Sequence, residues 1–377
     1  MKLSAFGDVV HTIPVLHALR RRYPAARIDW LVMAGNAALI AGHPALDRVV
    51  AFDDKAWRTP SRLGWRNFRT LWAFGRDLRR ARYDLVIDLQ GQFRSAACVL
   101  LTAAPVRIGF ARPRRRAAAN GSRIVRTSRH GWTGAREGAW HAYTHTIPLD
   151  TLDLHAVDRY LRVGRLLGFE ANDPDFSFPI APEAEAGALT LLHEHGLALG
   201  PGADPFLLIA PGTIWDTKQW TPAGFAEVAR HFLGRNLPVV LAGAPRDRAV
   251  SEAIARDAPG TINLCGRTSQ AELAALTRHA AAVLANDSGP MHLAVALGRP
   301  VVAIFGPTDP LWAGPYRHPE AVAAAGVACA PCYIRELRRC PHGHACMREL
   351  AAAAVIAKLE AMLRPAAGTQ VPGAGAT

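Results

Sequence analysis

Three short turns hold the side chains best suited to chemistry. The first, Ser288-Gly289-Pro290, joins an apolar run to a helical pattern. Ser288 or Gly289 can cap that helix and Pro290 fits its first position, so the remaining amides point outward at the positive end of the helix dipole. A phosphate fits such a turn, although capped turns also recur in doubly wound folds without a ligand. Asp287 precedes the turn and His292 follows on the first helical turn. The His292 imidazole either donates to a phosphate or sugar hydroxyl or bonds a core carbonyl. The second turn, Phe6-Gly7-Asp8, sets a carboxylate where a strand passes into a helix. An aspartate with a pKa of about 3.9 is ionised at neutral pH and can take a proton from an attacking hydroxyl. It can equally cap the helix. The third, Pro211-Gly212-Thr213 with Lys218, offers a glycine for close backbone approach, a hydroxyl and a mobile cation suited to phosphate, without the Walker spacing. A solvated lysine is the other reading of that loop.

Together these turns place a carboxylate on one wall and a lysine, hydroxyls and a helix start on another, a set suited to group transfer from a nucleoside diphosphate. Asp173-Pro174-Asp175 has a proline between its carboxylates and lies in a linker-like stretch, so it makes a poor metal pair. Lys218 and backbone amides would then neutralise a leaving pyrophosphate without a divalent ion.

Strand-like runs at 28–33, 48–52, 84–89 and 106–110 alternate with helical patterns at 9–22, 65–81 and 92–102. A second series follows, with strands at 206–210, 238–242, 261–265, 281–285 and 300–305 and helices near 222–233, 246–256, 270–279 and 290–297. This βα repetition predicts an α/β protein of two Rossmann-like doubly wound domains facing a cleft. The expected divisions are an N-terminal domain over 1–170, a Pro-rich linker over 171–182, a C-terminal domain over 183–345, a helix over 346–364 and an Ala/Gly/Pro tail over 365–377. Only Met1 to Ala5 precede the Phe6-Gly7-Asp8 turn, where a buried strand of about five residues is usual. Either the start lies upstream of Met1 or the first strand is short.

A chain of 377 residues is long enough for two cores, and its 50% hydrophobic content indicates a packed globular protein. No apolar run reaches the ~18 residues of a membrane span, and Asp8 interrupts the position of a signal peptide, which predicts a cytoplasmic protein. The net charge of +13 is uneven. Residues 89–136 contain ten arginines and no acid, among them Arg114, Arg115 and Arg116. Such a block suits a polyanion, whether nucleic acid, lipid headgroups or a phosphorylated saccharide, or is simply a solvated face. Cys329, Cys332, Cys340 and Cys346 cluster late in the chain. Their Cys-x2-Cys opening matches many zinc sites, but the second half lacks the paired spacing, so reduced or disulfide-capable thiols are the preferred reading.

Several motifs resemble one known family in order along nearly the whole chain. They are Ser4-Ala5-Phe6-Gly7-Asp8-Val9-Val10-His11-Thr12-Ile13-Pro14, Pro211-Gly212-Thr213 with Lys218 and Trp220, and Asp287-Ser288-Gly289-Pro290-Met291-His292-Leu293-Ala294 with Phe305-Gly306-Pro307-Thr308. The chain is thereby similar to the family 9 glycosyltransferases, the ADP-heptose:lipopolysaccharide heptosyltransferases. The resemblance implies a GT-B fold whose C-terminal domain holds the sugar nucleotide, whose N-terminal domain holds the acceptor, and whose last helix returns to the N-terminal domain. It implies that Asp8 is the catalytic base, that Thr213 and Lys218 contact phosphate, and that Asp287, Ser288, Gly289 and His292 form the donor-sugar and phosphate site. Some members carry a glutamate near the ribose after the second strand of this domain, whereas Gly243-Ala244-Pro245-Arg246 has none.

The expected activity is inverting, metal-independent transfer of heptose from ADP-heptose to Kdo-lipid A or heptosyl-Kdo-lipid A, with no cofactor. The acceptor carries phosphates and carboxylates, so Arg114, Arg115 and Arg116 are expected to bind it and to bring the protein to the inner face of the inner membrane. Another nucleotide-sugar donor, a GT-B sugar-nucleotide epimerase and RNA binding are the competing readings. Against RNA, residues 89–136 hold only Phe93, Phe110 and Trp132 as aromatics and no RNA-binding motif.

Overall fold

A computed structural model of the chain describes residues 1–53, 65–113, 116–117, 124–125, 134–151, 153–170, 172–197 and 205–364. In the first half the elements are α1 (Phe6–Val10), α2 (Ile13–Arg22), β1 (Asp29–Met33), β2 (Arg48–Phe52), α3 (Trp65–Arg80), β3 (Leu85–Asp88), α4 (Phe93–Thr102), β4 (Val106–Phe110), β5 (His145–Ile147) and α5 (Ala156–Leu161). β1 pairs in parallel with β2, and β4 pairs in parallel with both β3 and β5. Residues 1–3 link the two sheets. Lys2 N–H donates to the Leu31 carbonyl and Met33 N–H to that of Leu3, while the Met1 amine and Leu89 N–H exchange bonds with Ile87 and Met1 on the other side. Residues 1–3 thus bond to both sheets without forming a strand of either. Beside Met1, a cavity of about 580 Å³ lies between the sheets, lined by Ile28, Leu31, Val50, Leu78, Leu85 and Ile87 among others.

The helical pattern expected over 9–22 is in fact two helices. Pro14 has no N–H to donate to the preceding turn, and the Thr12 hydroxyl instead bonds the Asp8 carbonyl at 2.8 Å. The break turns α1 independently of α2, which matters for Asp8.

The second half contains α6 (Pro182–His193), β6 (Leu207–Ala210), α7 (Pro222–Leu233), β7 (Val239–Leu241), α8 (Arg248–Asp257), β8 (Ile262–Asn263), α9 (Gln270–His279), β9 (Ala282–Asn286), α10 (Gly289–Ala296), β10 (Val301–Ile304), β11 (Val322–Ala323) and α11 (Ala352–Leu363). Its six strands lie in the order β8-β7-β6-β9-β10-β11, all parallel. That is the doubly wound order, and it puts ligand-binding turns at the carboxyl ends of β6 and β9 beside the switch in winding direction. Every residue of β6, β7, β9 and β10 is buried, as a sheet covered on both faces requires.

The last helix departs from expectation. α11 buries Ala352, Val355 and Leu359 in the same cluster as Phe225, Val228 and Phe232 of α7, and its Glu360 pairs with His231 of α7 and with Arg235 just beyond that helix at 2.9 and 2.8 Å. It packs on the second sheet and does not return to the first half, because its apolar stripe matches α7 and Glu360 meets His231 and Arg235 at the end of α7.

The two halves share a continuous apolar core. Val9, Val10, Ile13 and Leu16 of the first half join Met291, Leu293, Leu273 and Leu276 of the second. At the centre of the contact α1 packs on α10, and glycines make the approach possible. A Cβ on Gly7 would lie 2.3 Å from His292 Cδ2, and one on Gly289 would lie 2.5 Å from Phe6 Cδ1. Both separations are impossible for carbon atoms, so each glycine admits one ring from the opposite half.

Three histidines meet there. The His11 and His292 rings are joined by a 2.8 Å nitrogen contact, and His155 lies edge-on to His11 with ring centroids 5.1 Å apart. His155 Nε2 donates to the Gly314 carbonyl. Burial pulls His155 and His292 down to about 4 and takes His11 well below its ordinary value, with mutual repulsion adding to the effect on His11.

These depressed values link stability to pH. The unfolded chain protonates its histidines near pH 6.5 and the folded one only near 4, so stability is full above 6.5 and drains away as pH falls through that window. The expected slope is up to about 1.4 kcal/mol per pH unit for each histidine. Urea unfolding between pH 7 and 4.5 should show this, with a shallower slope in His155→Gln. A midpoint that does not move across the window would refute the linkage.

Candidate active site

A cleft of about 730 Å³ opens between the halves, with Asp8 on one wall and Lys218, Asp287, Ser288, Gly289 and His292 on the other. Thr213 also lines it. The break after α1 leaves the Asp8 carboxylate at the floor, where its side chain keeps 39% of its surface. Its Oδ1 accepts from the Tyr160 hydroxyl at 2.8 Å and faces the Lys2 ammonium at 3.5 Å, and its Oδ2 accepts the Ala5 N–H at 3.1 Å. Burial pushes the Asp8 carboxyl up. Lys2, the Tyr160 hydroxyl and the Ala5 amide outweigh it and hold the pKa below the ordinary aspartate value. Asp8 is thus an anion held from behind, open only towards the cleft.

Lys2 is buried, and it donates to the Tyr160 hydroxyl and to the Leu89 carbonyl at 2.8 and 3.1 Å. Burial pulls its pKa down, while Asp8 and Asp88 partly restore it. Gln90 supports the same segment, its Oε1 accepting from both Leu3 and Ser4 N–H at 3.1 Å. Fully buried Asp88 holds the Gln90 turn through its N–H, that of Gly91 and the Tyr143 hydroxyl. Gln90, Gln92 and Arg136 extend this wall towards the cleft mouth. Arg136 Nε is buried with no hydrogen-bond partner among the described residues.

On the opposite wall Lys218 is held from two sides. Its ammonium lies 2.6 Å from Asp287 Oδ2 and 4.4 Å from the centre of the Trp215 ring, whose other neighbour is the Arg335 guanidinium at 4.6 Å. Asp287 is buried and also accepts from the Thr308 hydroxyl at 2.5 Å. Its carboxylate is therefore engaged in fixing Lys218. Fully buried Asn286 bonds Pro211 and Trp220 backbone groups and ties the Lys218 loop to β9. Ser288 stands at the N-cap of α10 without a hydrogen bond to that helix, and its Oγ is buried with no partner among the described residues. The hydroxyl and the helix start thus share one unfilled polar direction.

The sequence reading missed several of these groups. Lys2, Tyr160, Gln90 and Arg335 belong to no recognisable motif, Arg136 figures only as one of the ten arginines of 89–136, and only folding brings them to the cleft. Another was overlooked by one position: no carboxylate occurs in 243–246, but Asp247 follows, closing the 3-10 turn Pro245–Asp247 at the end of β7. Asp247 lines the cleft and accepts the Ala244 N–H at 2.9 Å. A Cβ on Gly212 would lie 2.1 Å from its Oδ2, so Gly212 admits this carboxylate.

Two other expectations meet different outcomes. Arg114 and Arg115 lie outside the described residues, and of Arg116 only the backbone is described, in the short strand Arg116–Ala117. Cys329, Cys332, Cys340 and Cys346 are free thiols, and the first three add to the effect of burial in raising Cys346 to about 11. Among the described residues no three His, Cys, Asp or Glu side chains are arranged to hold a metal ion, so the zinc reading has no ligand set in this structure. The segment braces the Lys218 loop instead. Thr217 donates its hydroxyl to the Ile334 carbonyl and its own carbonyl pairs with His344 Nε2 at 2.7 Å.

The profile of glycosyltransferase family 9 (heptosyltransferase) matches residues 71–128 and 116–339. The chain is 33% identical over 343 residues to lipopolysaccharide heptosyltransferase 1 of Pseudomonas aeruginosa, covering 88% of this chain and 84% of that one. It is 28% identical to lipopolysaccharide heptosyltransferase 1 of Salmonella typhimurium, covering 84% and 90%. Among solved structures, E. coli heptosyltransferase WaaC with ADP-2-deoxy-2-fluoro heptose superposes with a TM-score of 0.68 at 25% identity, covering 96% of this chain and 98% of that one. A family 9 glycosyl transferase from Veillonella parvula gives 0.74 at 22% identity, covering 96% and 95%, and confirms the fold. With a profile spanning most of the chain, relatives matched over most of their length and the GT-B architecture in common, the protein is an enzyme of glycosyltransferase family 9, the heptosyltransferases.

Proposed function

We propose that the enzyme moves heptose from ADP-heptose to the Kdo/heptose inner core of lipopolysaccharide, with inversion and without a metal. The observation that carries this reading is the opposition, across one cleft, of a single ionised carboxylate and a cationic, hydroxyl-lined helix start. Asp8 takes the proton of an acceptor hydroxyl. The hydroxyl oxygen bonds the anomeric carbon as the bond from that carbon to the β-phosphate oxygen breaks, and ADP departs with the electron pair. One displacement inverts the centre. The departing charge is met by Lys218, Arg335, the Ser288 and Thr213 hydroxyls and the start of α10, oriented before the reaction begins. Asp287 keeps Lys218 in place, and Asp247, beside Gly212 and Gly243, stands where a ribose hydroxyl would donate. His292, bonded to His11, supports the cleft floor beside the donor wall. Arg136, Gln90 and Gln92 serve the acceptor, whose carboxylates and phosphates suit a guanidinium.

Asp8→Asn keeps the shape and loses the charge. Turnover should fall roughly 10²-fold or more, the lower end of what a general base contributes, while ADP affinity stays within about twofold. Near-normal turnover in acceptor-dependent ADP release would reduce Asp8 to a cap. ADP release without acceptor would instead favour hydrolysis or epimerase-like chemistry.

Lys218→Ala should weaken ADP binding by about 1.5–3 kcal/mol, the range for hydrogen bonds to charged groups, as read by calorimetry. Wild-type turnover should be indifferent to EDTA. Activity that EDTA abolishes and magnesium restores would overturn the metal-free reading.

Arg136→Gln tests the other wall. The acceptor KM should rise on the order of tenfold, the effect of losing a charge-assisted contact, with ADP affinity unchanged; equal loss on both substrates would mean that the cleft itself had collapsed.

A further inference from the structure

Four large apolar side chains stand in solvent on one face of the first half: Trp72 of α3, 59% exposed, and Phe93, Leu100 and Leu101 of α4, 59%, 55% and 38% exposed. Scattered single residues of this kind are ordinary, but these share one seam. α3 and α4 pack together, and a Cβ on Gly75 would meet Leu101 Cδ2 at 3.2 Å. Positions 72, 75, 76 and 79 fall on one stripe of α3, and 93, 97, 100 and 101 on one stripe of α4. Trp72 and Leu101 therefore flank Gly75 on the same surface.

The rim of this surface is cationic. Arg69, Arg76 and Arg79 are exposed on the Trp72 side of α3, and the Arg76 guanidinium lies 4.9 Å from the centre of the Trp72 ring. The one acid of α3, Asp77, is offset by Arg76 at 3.8 Å. An exposed tryptophan and leucines ringed by arginines match the boundary of a bilayer, where rings and alkyl groups enter the headgroup layer and guanidinium groups meet lipid phosphate. The face also reaches the cleft. Gln92, the N-cap of α4, lines the acceptor wall, and the Phe93 N–H donates to Glu137, next to Arg136, at 3.1 Å.

We infer that the α3–α4 face docks on an anionic phospholipid bilayer, Trp72, Phe93, Leu100 and Leu101 entering the headgroup layer and Arg69, Arg76 and Arg79 contacting lipid phosphates. The inference extends the reading of a lipid-linked acceptor, because docking there sets the acceptor wall at the membrane surface.

The test is vesicle co-sedimentation of the full chain, using phosphatidylcholine alone or mixed with phosphatidylglycerol. Affinity should be on the order of tenfold higher for the anionic vesicles and fall with salt. Trp72→Ser combined with Leu100→Ser should lower it by about tenfold or more. Arg76→Ser should lower it by about fivefold, the equivalent of about 1 kcal/mol per arginine at such a surface. Both variants should transfer sugar normally to a deacylated, water-soluble acceptor and poorly to an acceptor embedded in vesicles. Equal binding to both kinds of vesicle, or variants that bind as the parent does, would overturn the docking face. So would a dimer in sedimentation velocity that the Trp72/Leu100 variant abolishes, since the face would then be a protein interface. Failure of the parent to act on the soluble acceptor would count against the proposed reaction and leave the vesicle measurements to decide the docking face alone.

Discussion

The contact of α1 with α10 sets the geometry on which the rest depends. Two helix starts from opposite halves approach until Gly7 touches the His292 ring and Gly289 touches Phe6. A methyl group at either position would separate the halves, and overpacking of this kind costs about 1–3 kcal/mol even where a core can adjust. The separation would also move Asp8, one residue from Gly7, relative to Ser288, one residue from Gly289. The distance across the cleft is thus built into a packing contact. The apolar core running through Val9, Val10, Met291 and Leu293 holds that contact closed, and the neutral histidines at its centre hold it without buried charge.

The two walls of the cleft use their charges differently. Asp8 is backed by Lys2, Tyr160 and an amide, which makes it a secure anion and a weak base. Such a carboxylate suits the proposed displacement, in which the hydroxyl becomes acidic only as its bond to the anomeric carbon forms and the proton then moves late. The donor wall meets the opposite requirement, holding a cation without exposing it. Asp287 and Trp215 fix the Lys218 ammonium, so that no reorganisation is needed when negative charge arrives. The late cysteine-rich segment belongs to this wall. Through Ile334, Arg335 and His344 it grips Thr217 and Trp215, just ahead of Lys218, which gives the segment a structural task.

Strands and turns were legible where local chemistry is self-sufficient. The runs at 48–52 and 106–110 coincide with β2 and β4, because buried parallel strands are short, apolar and bounded by turns. The Asp8, Thr213–Lys218 and Asp287–His292 turns could be found from a carboxylate, a cation and a capped helix start, and the structure brings them to one cleft. What could not be read depends on distance along the chain. Lys2 and Tyr160 are 158 positions apart, and neither has a local signature. The last helix was assigned to the wrong half because an Ala-rich stripe does not name its partner; only Glu360 opposite His231 and Arg235 does. The pattern over 9–22 ran through Pro14 because apolar periodicity continues across the break that the proline imposes.

That break is itself functional in consequence. Had 9–22 been one helix, Asp8 would sit in the first turn of a long rod whose axis is set by α2 and the first sheet. With the chain turning at His11 and Thr12, α1 is a separate five-residue piece that can align with α10, while α2 keeps its place on the sheet. The same turn delivers His11 to His292 and lets the Thr12 hydroxyl close on the Asp8 carbonyl. A proline that weakens one helix thereby frees the Asp8 carboxylate to be positioned by the second half, and the Asp8 wall of the cleft takes its register from the half that carries Lys218 and Asp287.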